Sequence, residues 1–296
     1  MILTNWRNIS KLSAACLLLM AMSCGQEGNG ANEGKKEDAK ADAILLCDPE
    51  TYDLECMKDG NTSTSDEMIE LLGSLKKGIV DAAGGEVPDE RQDEYGDQSR
   101  KEIEREFRIL KDHPKTALLN GLMRKLLQLR AEPSMIGYNI YVIESDMVNA
   151  FTLGGEIYVT NTLLQNAGST DELACIIGHE IGHNELGHVA DKLKEVELAQ
   201  GILGNEAGAA FAGFVGLVTM GFNQVNEAQA DLYGIDLALA GGYDACRGID
   251  FWDRMQDLEG EENDFENFFR SHPYSARRAK CYRSHLSSLH KLTCEN

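Results

Sequence analysis

Apolar residues first recur at helical spacing after Thr64 or Ser65, either of which has a side chain suited to an N-cap. Met68, Ile69, Leu71, Leu72, Leu75, Ile79 and Val80 would gather on one helical face. Gly84-Gly85 ends this stretch, and the acidic run from Val87 to Asp97 reads as solvated linker. A second helix is predicted from about Ser99 to Lys111, stopped by His113-Pro114. A third spans roughly Lys115 to Arg130, with Leu118, Leu119, Leu122, Leu126 and Leu127 on one side. The pattern then changes to strand. Tyr138 to Ile143, Ala150 to Thr152 and Glu156 to Thr160 read as three strands, with Gly154-Gly155 as a turn. A long helical segment from Asp171 to Lys194 follows, and the rest reads as helical. The expected class is α+β: mostly helical, with a small antiparallel sheet beside the helix at Asp171.

The chain has 296 residues, of which 43% are hydrophobic and 26% charged, enough for one sizeable core and an appendage. Its net charge of -21 excludes nucleic acid as a partner, because a phosphate backbone needs a basic surface. The same charge opposes electrostatic docking on anionic lipid.

The N-terminus reads as a targeting segment. Arg7 and Lys11 are followed by the uncharged apolar run Leu12 to Met22, shorter than the ~20 residues of a membrane span. Ala21-Met22-Ser23-Cys24-Gly25 resembles a bacterial lipoprotein cleavage site, although Ala21 stands where that pattern has Leu. The resemblance implies a signal peptide over residues 1–23 and lipidation at Cys24. Gly25 after the cysteine, by likeness to enterobacterial lipoproteins, favours the outer membrane. Residues 24–46 are Gly-, Glu-, Lys- and Asp-rich and suit a flexible leash. Residues 47–98 form a helical extension and 99–296 the main domain. Cysteine usage agrees with export. Cys47 could pair with Cys56, and two of Cys246, Cys281 and Cys294 could form a second bridge, while Cys175 reads as a buried thiol.

The chemistry concentrates in Gly178-His179-Glu180-Ile181-Gly182-His183. Histidines four apart lie one turn above each other on a helix, so both imidazoles can reach one cation at about 2.0–2.1 Å. Glu180 lies beside the first and can act as general base toward a water activated by the metal. Gly178 and Gly182 keep the helix thin there, at a cost of about 1 kcal/mol each against Ala. A catalytic zinc needs a third protein ligand. His188 falls on a different face and is a weak candidate. The HExxHxxGxxH pattern fails, because Leu186 stands in place of its glycine and Val189 in place of its last histidine. Glu227 is the better ligand. Asp231, four residues on, can receive the free ring N–H of a ligand histidine, and small Ala228 and Ala230 suit helix–helix contact.

HExxH followed by Glu227-Ala228-Gln229-Ala230-Asp231 resembles the gluzincin metallopeptidases related to HtpX and the CAAX prenyl endopeptidase, in their secreted bacterial branch. The resemblance extends over roughly Glu102 to Ser284. It implies one Zn2+ per subunit, held by His179, His183 and Glu227. It also implies that Glu180 is the base, that His272 and Arg278 of an HP…R element lie near the scissile carbonyl, and that Asn149, Ala150 and Phe151 form an edge strand pairing with an extended substrate. The expected activity is zinc-dependent endoproteolysis of misfolded or unassembled proteins in the periplasm-facing envelope, with envelope assembly machinery as a partner. The alternative is a lipid-anchored, chaperone-like binding factor with little proteolysis. The apolar segment Ala207 to Phe222 reads as a lid or membrane-contacting element.

Overall fold

The computed structural model describes residues 52–57, 87–203, 222–257, 272 and 276–294. The signal segment, Cys24, the leash, Cys47, the helix after Thr64 and nearly all of Ala207 to Phe222 lie outside them.

The described helices are α1 (Asp89–Glu106), α2 (Thr116–Leu127), α3 (Asn161–Asn166), α4 (Thr170–Glu185), α5 (His188–Leu203), α6 (Gln224–Ala240), α7 (Cys246–Asp257) and α8 (Ala276–Ser288). Strands β1 (Asn139–Ile143), β2 (Ala150–Leu153) and β3 (Glu156–Thr160) lie between α2 and α3. The α+β class holds, but the sheet is mixed. Its order is β1-β3-β2, with β1 parallel to β3 and β2 antiparallel to β3. Gly154 (φ 54°) and Gly155 (φ 83°) both sit in the left-handed region that a tight two-residue hairpin demands. The hairpin makes β2 and β3 antiparallel, and β3 lies between β2 and β1 and runs in the direction of β1.

Both faces of the sheet are covered. Ile140, Val142, Ile157 and Val159 pack with Leu119 and Leu126 of α2 and Ile177 and Ile181 of α4. On the other face Ile143, Phe151, Leu153 and Tyr158 meet Ile103 of α1 and Val189 and Leu193 of α5. Every residue of β3 is therefore buried.

Two boundaries differ from the pattern. The acidic run at Val87 to Asp97 is helical, because α1 begins at Asp89 and lays Tyr95, Gly96, Ser99 and Ile103 against the body. Gly96 packs under the hairpin, where a Cβ would sit 3.2 Å from the Leu153 carbonyl oxygen. The long helix expected from Asp171 is split. Its first part is capped by the Ser169 hydroxyl, which accepts from the Glu172 N–H. It ends at Leu186, and Gly187 (φ 74°) turns the chain into α5.

Among the described residues the disulfides are Cys56–Cys281 and Cys246–Cys294, and Cys175 is a buried free thiol. The expected Cys47–Cys56 bridge is overturned. The 52–57 segment packs Leu54 and Met57 against α6 and α8, and this brings Cys56 to Cys281.

Candidate metal centre

Helices α4 and α6 touch backbone to backbone. A Cβ added to Gly178 would lie 2.9 Å from Gly234 Cα, and one added to Gly234 would lie 2.6 Å from the His179 nitrogen. Ala230 packs under Gly182 in the same way. This approach, together with the Asn223 side chain that caps α6 at Val225 and Asn226, brings Glu227 in the first turn of α6 up to the two histidines of α4.

His179 Nε2 and His183 Nε2 lie 3.0 Å apart. The Glu227 carboxylate faces both, with Oε2 at 3.4 Å from His179 Nε2 and Oε1 at 3.4 Å from His183 Nε2. His272 brings Nδ1 to 3.2 Å from Glu227 Oε2 and 3.3 Å from His179 Nε2. One donor atom from each of these four buried residues lies within 4.8 Å of the others. Glu180 Oε1 lies 3.5 Å from His272 Nε2, and that nitrogen donates to the Ala150 carbonyl at 2.8 Å.

Behind the histidines, His179 Nδ1 donates to Asp231 Oδ1 at 2.9 Å. Arg278 donates from Nε to Asp231 Oδ2 at 2.8 Å and from Nη2 to Oδ1 at 2.9 Å, and its Nη1 lies 3.0 Å from Glu227 Oε2. Those contacts place Arg278 behind the ligand shell, holding two carboxylates, rather than at the scissile-carbonyl position expected of it. The charges follow. Burial alone would raise Glu227, but His272 and Arg278 hold it well below the usual carboxylate range. Burial likewise opposes charge on Asp231, and Arg278 and His179 outweigh it and lower its pKa. Burial is the main influence on Glu180 and raises its carboxyl, against the pull of His272 and His179.

These residues fit a divalent metal. His179 Nδ1 donates its N–H to Asp231, so Nε2 is the nitrogen turned to the metal position, and it lies only 3.0 Å from another ring nitrogen. Glu227 Oε1 is buried without a hydrogen-bond partner. Ring nitrogens crowded to that distance and an orphaned carboxylate oxygen are costly in a dry interior unless a cation, whether a proton or a metal ion, lies among them. Two imidazoles and one carboxylate make a donor set that zinc accepts.

Residues 115–285, from the start of α2 into the last turn of α8, match Peptidase family M48. The chain belongs to that family. It resembles metalloprotease LoiP of Escherichia coli, at 26% identity over 249 residues, covering 79% of this chain and 96% of that protein. It also resembles mitochondrial metalloendopeptidase OMA1 of Schizosaccharomyces pombe, at 26% over 177 residues, 57% of this chain and 52% of the relative. The beta-barrel assembly-enhancing protease of Yersinia pestis is 24% identical over 229 residues, 71% of this chain and 47% of the relative. The chain thus spans nearly all of the first and about half of the other two.

As an M48 protein the chain is a metal-dependent peptidase. Every residue discussed above from Asn149 to Arg278 falls inside the matched region. A narrow cleft opens beside His179 and Glu180, walled by Ile176, Phe251, Trp252 and His272. Ala150 and Phe151 open β2 and Asn149 precedes it, and among the described residues β2 is an edge strand of the sheet. Thr160 N–H donates to the Asn149 carbonyl, so the antiparallel alternation turns the backbone groups of Ala150 and Thr152 to the outer edge. Sequence reasoning undervalued two parts of the M48 site. His188 is buried, with Nδ1 at 3.0 Å from His183 Nδ1. Phe222 stacks on the His183 ring at 3.8 Å between centroids. The HisxxxxHis spacing of His183 and His188 was the available signal for the first, and a helix break between them was needed to use it.

Proposed function

We propose that the chain is a zinc-dependent endopeptidase of the bacterial envelope, with His179, His183 and Glu227 holding the ion and Glu180 as the general base. The observation that carries this is the convergence of the two imidazole Nε2 atoms and the Glu227 carboxylate next to Glu180. When bound, zinc would polarise the scissile carbonyl and acidify an attacking water toward a pKa near 7. Glu180, its carboxyl raised by burial, takes that proton and passes it to the leaving amine. Asp231 fixes the His179 tautomer, and Arg278 keeps Asp231 and Glu227 ionised in a dry site. An extended peptide would add to the outer edge of β2. His272 donates to the Ala150 carbonyl on that edge, so peptide entry requires it to move.

The targeting pattern ahead of Cys24 supports a lipid-anchored protein facing the periplasm, at the outer membrane. The similarity to LoiP and to a protease named for β-barrel assembly supports misfolded or unassembled envelope proteins as substrates. No helix among the described residues is long and apolar enough to cross a membrane.

Glu180→Gln tests the reading. The variant should retain its zinc and lose about 10²–10⁴-fold in cleavage of an unfolded protein. Parental cleavage rates in the variant would refute Glu180 as base. The binding-factor reading is favoured by one observation, that His272 engages both the edge strand and the metal group. Full cellular rescue by Glu180→Gln would establish it over proteolysis.

A further inference from the structure

A neutral imidazole has one lone pair and one N–H, so a ligand histidine needs something behind it to decide which nitrogen carries the proton. For His179 that is the Asp231 carboxylate. For His183 it is another imidazole. His183 Nδ1 lies 3.0 Å from His188 Nδ1, and His188 Nε2 lies 3.2 Å from Gln229 Oε1. Gly187 makes this possible. Its left-handed turn (φ 74°) lets His188 open α5 and fold back beneath His183.

Two nitrogens 3.0 Å apart share one proton, so the chain reads in one of two directions. If Gln229 offers its oxygen, His188 carries its proton on Nε2 and presents a lone pair at Nδ1. His183 then donates from Nδ1 and turns the Nε2 lone pair to the metal position. If the amide is reversed, each proton shifts by one link and His183 Nε2 carries hydrogen toward Glu227, where it blocks coordination. The structure has Gln229 Oε1 facing His188, which is the first direction.

We propose that His188 and Gln229 are positioning residues, a neutral relay that holds His183 as its Nδ1–H tautomer and so keeps its Nε2 available to the metal. The inference rests on the reading of His183 as a ligand. All three supports come from α6: Glu227 binds, Asp231 orients His179, and Gln229 orients His183 through His188. The two ligand histidines are backed differently. His179 leans on a charged carboxylate that Arg278 offsets, and His183 on an uncharged chain ending in an amide.

The test uses the full chain, with zinc itself as the probe. Zinc affinity is measured by competition with a chelating dye, and the His183 ring nitrogens are followed by 15N NMR. His188→Leu removes the acceptor and should weaken zinc binding about 10–100-fold. His188→Asn places an amide oxygen close to where Nδ1 sits, and should recover most of the loss. Equal zinc affinity for parent and His188→Leu, or no recovery in His188→Asn, would overturn the relay. Melting temperatures of the metal-free variants separate lost orientation from lost folding. Should His188→Leu fail to fold, Gln229→Leu keeps the imidazole in place and should give mixed His183 tautomer signals; a single unchanged Nδ1–H signal there also overturns the proposal. Unchanged affinity in His183→Ala would instead sink the ligand reading beneath it.

Discussion

His179 is a base that a metal must take from a proton. Burial works against its charged form, but hydrogen bonds to Asp231 and Glu227 outweigh burial and raise its pKa to about 10. At pH 7, with no metal competing, the ring is protonated. Burial instead lowers His183 well below its ordinary value, so that ring is already a free base. Binding zinc at pH 7 should therefore expel about one proton from His179. For this group, affinity falls about tenfold for each pH unit of acidification and levels off only above about 10. Calorimetric zinc titrations in two buffers of different ionisation enthalpy read the proton count directly; zero release at pH 7 would contradict it. At this scale much of the site was legible. Spacing of i, i+4 put His179 with His183 and Glu227 with Asp231 on one helix face each, and the family resemblance joined the two pairs. Arg278 was legible as a site residue but not in its place, because its partners Asp231 and Glu227 lie more than forty positions upstream and only packing reveals which carboxylates it meets.

The element that decides the site is the α4–α6 pair. Gly178 and Gly234 face each other at a distance no side chain allows. Gly234→Ala should push the helices apart, cost about 1–3 kcal/mol, and weaken zinc binding by drawing Glu227 from the histidines. Gly121, on the exposed side of α2, has no atom within 4 Å of where a Cβ would stand, so Gly121→Ala should stabilise by about 0.5–1 kcal/mol. Thermal melts of the two variants give the contrast, and equal shifts would mean that the glycine contact does not set the helix separation. The strands were legible because β-branched and aromatic runs sit between turn residues. The start of α1 was not. Its inner face is Gln92, Tyr95, Gly96 and Ser99, which has no apolar stripe to announce a helix. The fit of Gly96 under the hairpin is a tertiary fact. The parallel pairing of β1 and β3 is equally invisible in periodicity, since alternation is the same in either direction.

At the scale of the whole molecule, the 52–57 segment, α6, α8 and the C-terminal residues are joined at Asp236. His285 Nε2 donates to its Oδ1 at 2.7 Å, His290 Nε2 to the same oxygen at 2.8 Å, and the Tyr52 hydroxyl to Oδ2 at 3.3 Å. Cys56–Cys281 and Cys246–Cys294 close the same region covalently, and Asp236 lies on the helix that carries Glu227. Burial would raise Asp236, but the two imidazoles outweigh it and hold the carboxyl below its ordinary 3.8. A carboxylate depressed on folding adds stability that is complete above the unfolded value and is lost as pH falls through the folded one. The contribution should therefore be full at neutral pH and disappear below about 3.8. Asp236→Asn keeps the shape and removes the charge. It should cost about 1.5–3 kcal/mol at pH 6, the range for hydrogen bonds to a buried charged group. The gap between parent and variant should close as the pH is taken below 3.8. Urea midpoints collected from pH 6 down to about pH 2.5 measure that gap directly. Other depressed carboxylates, Glu227 and Asp231 among them, act on both proteins alike and cancel in the difference. A separation that stays constant across the range would show that the charge on Asp236 does not hold the two ends of the domain to α6.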